Sequence, residues 1–438
     1  MFTMRAKIIR RHEVHCPCPM AGIFLMLVFG IMIVHLYPYG LTFAGWITLL
    51  IFFVGMSIII RSYQVKSLLL FLAFVPLGGG LEMLQQTEQA SEGETVAYED
   101  LSMVDRARLH ALDLRQQALS CYKERSIQNQ DYAILSAMTL GDKSMLSEDT
   151  RQTFSSSGAS HVLAISGLHI GIIFQLLMLL LGGGKKNRLL CIPLVLVAVW
   201  VYIFVIGLPA SGIRSACMIT VFCINLLSWR RTPAVNSLFV TGVIMLLADT
   251  SYLYDVGFQL SFTAVLSILL LYKPIFSWLP KEWESLRPVK WIWSMTAVSL
   301  AAQIGTMPLV AYYFGTVSCF SLLSSFIAIP ITTLIIYVSA IFFVCAGCSI
   351  LAPLQDALAL LLDMLTMVMQ GALRFVCQLP GACISGVEMN IPQLVLVYAI
   401  IVTGCLIIRK LRLFHSHRTR LAVFENTDYN RQEYQTSL

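Results

Sequence analysis

Charge is what this chain has least of. Only 12% of its 438 residues are Asp, Glu, Lys or Arg, about half the ~25% of an average soluble globule, which excludes an ordinary water-soluble domain. Acids are rarest where the chain is most apolar: between His161 and Ile350 they are Asp249, Asp255, Glu282 and Glu284 alone. Histidine is sparse too, at eight residues. Cys16-Pro-Cys18 and the Cys345/Cys348 pair lack a second matching pair or a nearby histidine set, so neither a metal nor a cofactor is expected. Twelve cysteines are present, yet Cys191, Cys217, Cys223 and Cys405 sit inside apolar runs, where cysteine behaves as a small hydrophobe. No disulfide framework is legible. Nor does any segment of roughly 20–50 residues repeat.

What is abundant is hydrophobic: 57% of the residues. The pattern predicts an all-α polytopic membrane protein with about 12 spans, some of them broken or interfacial. The spans are expected near residues 20–37, 41–60, 67–81, 161–181, 189–207, 213–229, 235–248, 256–272, 291–314, 319–348, 354–379 and 392–408. Lys and Arg cluster at Arg5 to Arg11, at Arg61 and Lys66, from Lys185 to Arg188, at Arg230 and Arg231, and after Arg409. The positive-inside rule puts those flanks and both termini in the cytoplasm and residues 82–131 outside. The same rule accounts for the net charge of +6 without an anionic partner.

Five regions follow: N-terminal spans (1–81), an extracytoplasmic acidic loop with an amphipathic helix (82–131), a membrane core (132–350), C-terminal membrane segments (351–410) and a cytoplasmic tail (411–438). In the second region, Leu109, Leu112 and Leu119 alternate with Arg106, Arg108, Arg115 and Lys123 at helical spacing over Val104 to Glu124, a pattern suited to a membrane surface. Only Thr95-Val-Ala-Tyr98 hints at a strand, so no five-stranded barrel is expected there. Trp278 and Trp283, between Lys273 and Lys290, suggest an interfacial helix. Pro330 implies a kink or a break within the run from Cys319 to Cys348. Asp356, Asp363, Gln370 and Arg374 must face protein or water.

The stretch His161-Val-Leu-Ala-Ile-Ser-Gly-Leu-His-Ile-Gly-Ile-Ile-Phe174 stands apart. Treated as one helix, it gathers Ala164, Gly167 and Gly171 within about 60° of one another, a face for close helix packing. His161, Ser166 and His169 point mostly away from that stripe and need a cavity or a polar partner. Interhelical hydrogen bonding accounts for them equally well.

This stretch resembles the signature of the ComEC-type competence family. Leu140-Gly-Asp142 resembles the family's leader to it, and Gly207-Leu-Pro-Ala-Ser-Gly-Ile-Arg-Ser-Ala-Cys-Met218 resembles its Ser/Arg turn. Asp255-Val-Gly-Phe-Gln-Leu-Ser-Phe262 and Gln303-Ile-Gly-Thr-Met-Pro308 follow in the expected order. The chain departs at Ser324-Ser325-Phe-Ile-Ala-Ile-Pro330, where the family tends to carry an asparagine before its late proline. The resemblance implies passage of single-stranded DNA across the bacterial cytoplasmic membrane during transformation. Its implied partners are single-stranded DNA and other competence-machinery proteins; a separate nuclease and a homo-oligomer stay open. The family's OB domain and metallo-β-lactamase-like nuclease domain are not evident here.

On this reading the DNA path is lined by His161, Ser166, His169, Ser211, Arg214, Gln259, Ser261, Gln303 and Thr306, while Gly167 and Gly171 serve packing. Arg214 follows Pro209 and Gly212 at the start of a span, where a helix N-terminus favours an anion such as phosphate; a snorkelling arginine is the plainer alternative. No catalytic residue is expected. Ser166 and His169 can share a helix face, but no later span supplies a separately positioned base. A secondary transporter for a small anionic solute and a shortened, non-conducting family member are the competing readings.

Overall fold

The computed structural model describes residues 18–37, 40–91, 103–125, 127, 129–181, 188–227, 233–347, 349–408 and 410. The basic N-terminal flank, Thr95 to Tyr98, Lys185 and Lys186, Arg230 and Arg231, and the tail lie outside the described residues.

The protein is an all-α polytopic membrane protein. Helix α1 (Pro19–Leu36) opens on proline, whose missing N–H has no helical partner at that position anyway. Thr42 starts α2 (Phe43–Ile59) by accepting the Gly45 N–H on its hydroxyl. Helices α3 (Tyr63–Leu72) and α4 (Phe74–Ser91) continue one apolar run through Ala73. Then come α5 (Met103–Glu124), α6 (Asn129–Leu135) with a π-helical turn at Ser136–Leu140, and α7 (Glu148–Ser156). A 3-10 turn at Ser160–Val162 leads to α8 (Gly167–Leu180), α9 (Arg188–Val205), α10 (Ala210–Leu227) and α11 (Ala234–Ala248). A second 3-10 turn (Thr250–Tyr254) precedes α12 (Val256–Phe276), α13 (Lys281–Glu284), α14 (Arg287–Phe314), α15 (Ser321–Ala346) and α16 (Ala352–Cys377). Helix α17 runs over Ile391–Ile408. Among the described residues, eight helices are long and apolar enough to cross a membrane and four shorter ones are apolar, matching the twelve expected spans.

The tightest packing joins α1 to α4. A Cβ at Gly30 would run into the Val75 carbonyl, and one at Gly78 into the Leu27 carbonyl, so each glycine lets the backbone of the other helix come close. The Trp46 ring of α2 lies over Gly79. Beyond α1, Phe24 stacks on Phe262 of α12 at 5.0 Å, forming an apolar cluster with Leu238 and Met245 of α11.

Several expectations need correction. The third span does not stop near Leu81: α4 carries on to Ser91, and Glu82 is buried because Thr250 donates to its carboxylate at 2.6 Å and Gln86 at 3.0 Å. A satisfied carboxylate within a helix needs no loop. The amphipathic helix exists as α5, but its C-terminal half is built into the core. There Tyr122 is fully buried and stacks on Phe342 of α15 at 5.1 Å. Pro330 does not break its helix, since α15 is continuous over 26 residues; apolar surroundings leave the chain no better way to satisfy its carbonyls. Between Lys273 and Lys290 only the four-residue α13 forms apart from the adjoining ends of α12 and α14, with Trp283 exposed on it and Trp278 exposed just before it. The hydrophobic pattern did not announce the antiparallel ribbon of β1 (Thr316–Ser318) with β2 (Cys383–Ser385).

Three polar residues of α16 find polar partners, two of them at exposed positions. Arg125 meets Asp356 at 2.8 Å, Gln370 donates to Asp131 at 2.9 Å, and Arg374 meets Asp149 at 3.0 Å. The Cys377 thiol reaches the Thr153 carbonyl. The chain from Arg125 to Thr153 therefore lies along one edge of α16, and residues 132–140 within it are buried.

Candidate functional site

The signature stretch is not one helix. His161 sits on the 3-10 turn with its side chain exposed, residues 163–166 are non-helical, and α8 begins only at Gly167. Angles measured across the whole stretch as a single helix therefore do not apply. The break arises at Ser166, whose extended backbone makes it the N-cap of α8. His169, third in the helix, turns back so that its Nδ1 accepts the Ser166 N–H at 3.3 Å and lies 2.9 Å from the Ser166 hydroxyl. A histidine thus fills the place that Glu or Gln takes in a capping box. Accepting at Nδ1 leaves the proton on Nε2, which is buried without a partner among the described residues. The expected glycine stripe also separates. A Cβ at Gly167 would lie 3.3 Å from the Ser215 hydroxyl, whereas one at Gly171 would meet nothing within 4 Å, so Gly171 is not a close-approach position.

The Ser/Arg turn docks on this break. Ser211 on α10 donates to the Ile165 carbonyl at 2.6 Å, giving a partner to a backbone group that no helix satisfies. One turn on, Arg214 is 4% exposed and directs Nη1 to Asp255 at 3.1 Å. Asp255 also caps α12, accepting the Phe258 N–H on the same oxygen. Gly257 leaves room for the guanidinium: a Cβ there would be 2.8 Å from Arg214 Nη2. Arg214 Nε has no partner among the described residues. The arginine is thus a buried strut between α10 and α12 rather than a cation held at the start of its own helix.

The remaining candidates divide. Gln259 on α12 is fully used, donating to the Leu253 carbonyl at 2.9 Å and accepting from Tyr313 at 2.7 Å, so it ties α12 to α14. Thr306 bonds back to Ala302 within α14. Ser261 and Gln303 are half-buried on α12 and α14. Helix α14 packs on α12 and α15, one layer from the signature break. The structure therefore joins His169, Ser166, Ser211, Arg214 and Asp255 through α8, α10 and α12, and sets Gln259, Ser261, Gln303 and Thr306 to one side.

Sequence reasoning missed Asp255 as the partner of Arg214, and it missed the Asp142–Arg115 contact at 3.6 Å that ties the leader motif to α5. The available signal was scarcity: a buried arginine needs an acid, and the core region holds few. Gly305 was also missed. A Cβ there would clash with Ser267, and its carbonyl accepts from Tyr398 of α17 at 2.7 Å, so α12, α14 and α17 converge on it.

Chemically, the junction presents donors: among the described residues His169 Nε2 and Arg214 Nε have no partner. Ser166 and His169 are within hydrogen-bond reach, and Nδ1 accepts the Ser166 backbone N–H. A separate groove of about 480 Å³ between α9 and α10, lined by Leu196, Trp200, Phe204 and Thr220 among others, is apolar and open. It suits acyl chains rather than a polar solute.

Residues 138–411 match a family described as Competence protein. The chain is 28% identical over 211 residues to ComE operon protein 3 of Bacillus subtilis, covering 48% of this chain and 26% of that protein. It is 25% identical over 210 residues to Recombination protein 2 of Haemophilus influenzae, covering 45% and 26%. An uncharacterised Aquifex aeolicus protein is 32% identical over 232 residues, covering 52% and 51%. The chain thus spans from about a quarter to half the length of these relatives. No solved structure matches it.

Proposed function

Because this chain belongs to the competence protein family, we propose that it mediates passage of single-stranded DNA across the bacterial cytoplasmic membrane, with both termini in the cytoplasm. The observation that carries the reading is the non-helical segment at residues 163–166. Irregular backbone among membrane helices survives only where protein or water satisfies it, and here Ser211 satisfies part while the His169 Nε2–H stays unspent. The ring is fully buried here, so contact with a passing phosphate or base requires the surrounding helices to part; the N–H then binds it without holding it as a fixed charge would. The exposed His161 lies two residues before this segment, on the 3-10 turn. Arg214 supports the path from behind through Asp255, and the scarcity of acids in the core spares the polyanion repulsion.

The protein acts on this reading as a conduit and not as an enzyme. On this reading its partners are the single-stranded DNA and other competence-machinery proteins that deliver it. Deleting the gene and measuring entry of labelled DNA into the cytoplasm tests the reading. Entry is expected to fall to background and to return on complementation; undiminished entry in the deletion strain overturns it.

A further inference from the structure

Two arginines stand at the signature motifs, and burial separates their uses. Arg214 has only 5% of its side chain exposed and bonds to Asp255 at 3.1 Å, so it is spent inside the protein. Arg115 of α5 keeps 19% of its side chain exposed and meets Asp142 at 3.6 Å, a separation at which the charges attract but no hydrogen bond forms. The other arginine pairs among the described residues are closer: Arg125 with Asp356 at 2.8 Å and Arg374 with Asp149 at 3.0 Å. Asp142 is 20% exposed and is also committed elsewhere, accepting the Ser144 N–H at 3.1 Å within its own turn.

Both members of this loose pair sit against the non-helical segment. Gly141, next to Asp142, packs so closely on Ile165 that a Cβ there would be 3.0 Å from the Ile165 side chain and 3.9 Å from the Ile206 carbonyl. Arg115 lies over the following residue, Gly207, where φ is +89° and the missing side chain leaves Nη1 3.6 Å from where a Cβ would stand. Ile165 is also the residue whose carbonyl Ser211 satisfies. The leader, the signature and the Ser/Arg turn thus come together beside Arg115, which itself lies outside residues 138–411 that match the family. More positive charge lies next to it in the chain: Lys143 and Arg151 are exposed, and Arg151 donates to the Lys143 carbonyl at 3.0 Å. The acids there are Asp142, Glu148 and Asp149, of which Asp149 is paired with Arg374.

We propose that Arg115 is a phosphate site of the path, engaged by the backbone of single-stranded nucleic acid, with Asp142 as the resting counter-charge that the phosphate displaces. This site rests on the DNA-passage reading. A guanidinium matches a phosphodiester in shape and charge and holds it through two parallel N–H groups. Asp142 offers Coulomb attraction alone, weakened by water at a partly exposed position. Exchanging one anion for the other breaks no hydrogen bond between the pair and strands no arginine charge. The anion-holding part that the sequence assigns to Arg214 falls instead to a residue that a polyanion can reach.

Binding of a fluorescein-labelled oligothymidylate to the full chain in phosphatidylcholine nanodiscs, read by fluorescence anisotropy over a range of NaCl concentrations, tests it. Arg115→Gln is expected to weaken binding about five-fold and to flatten the slope of log affinity against log salt by about 0.7, the share of one phosphate contact on a single strand. Asp142→Asn keeps an acceptor for the Ser144 N–H, frees the guanidinium and is expected to tighten binding about three-fold. A misfolded variant cannot produce that gain. Arg115→Lys keeps the charge and should keep the slope. A pair that only ties α5 to the leader would lower the melting temperature in both Arg115→Gln and Asp142→Asn and leave the slope unchanged, which overturns the site. If the unaltered protein binds no oligonucleotide at low salt, the DNA reading falls together with the site. If it binds and both variants match it in affinity and slope, the site falls alone.

Discussion

The α1/α4 crossing and the α8/α10/α12 junction both hold helices together, by opposite means. At the first, Gly30, Gly78 and Gly79 let backbones and the Trp46 ring meet directly, with no polar side chain between them. At the second, Ser211, Arg214, Asp255 and His169 hold a broken stretch of chain in place and leave donor atoms unspent. Dispersion over a close glycine contact is cheap to form in lipid, where helices gain nothing from hydrophobic association. A polar junction costs desolvation, so it persists where its groups have something else to do. The difference teaches that a glycine in a conserved-looking motif is weaker evidence of packing than a glycine opposite a backbone carbonyl.

The comparison breaks most visibly at Gly30. Gly30→Leu is expected to lower stability by at least about 3 kcal/mol, because the new Cβ meets backbone that cannot rotate away; thermal melting in detergent and membrane abundance measure it. Survival at normal levels would dissolve the contrast. Next comes Asp255→Ala, which strands the Arg214 charge. The loss should be about 2 kcal/mol, less than the ~3–5 kcal/mol of a fully buried pair, since 42% of the Asp255 side chain stays exposed. Pairing it with Arg214→Met should recover much of that stability, read by the same melt.

His169 gives a smaller and more informative effect. His169→Ala removes the acceptor for the Ser166 N–H and should cost about 1 kcal/mol, whereas His169→Gln keeps a capping-box partner and should restore the melt. If Nε2–H serves the path, DNA entry stays low in the Gln variant after stability has returned; parallel recovery of both makes His169 a cap and nothing more. The smallest change is expected at Gly171. Gly171→Ala should shift stability by no more than about 0.5 kcal/mol, because nothing lies within 4 Å of the added carbon. A large loss there would return the packing stripe to the signature.

Span positions were legible because a lipid environment admits few patterns: a sustained apolar run bounded by charge reads as a helix whatever its neighbours do. Element ends were less so. Glu82 looked like the opening of an acidic loop because one sequence cannot show Thr250, 168 residues away, donating to it. Pro330 looked like a break because the sequence displays the lost N–H and hides the packing that keeps α15 intact. In the site, the polar residue types of the signature were visible, but their geometry was not. A 14-residue window assumed to be helical put His161 and His169 on one wheel, whereas Ser166 ends that wheel by capping a new helix.

The sequence by itself determined that this is a helical membrane protein, where its spans run and which motifs align it with the competence family, because those properties follow from composition and local order. Only the tertiary structure decided that Arg214 serves Asp255, that Gly30 and not Gly171 carries a helix crossing, and that the Ser324 and Thr332 hydroxyls have no partner among the described residues. Each of these depends on which atoms from distant parts of the chain come within a few ångströms. That is set by how all the helices pack at once, and no local stretch of residues encodes it.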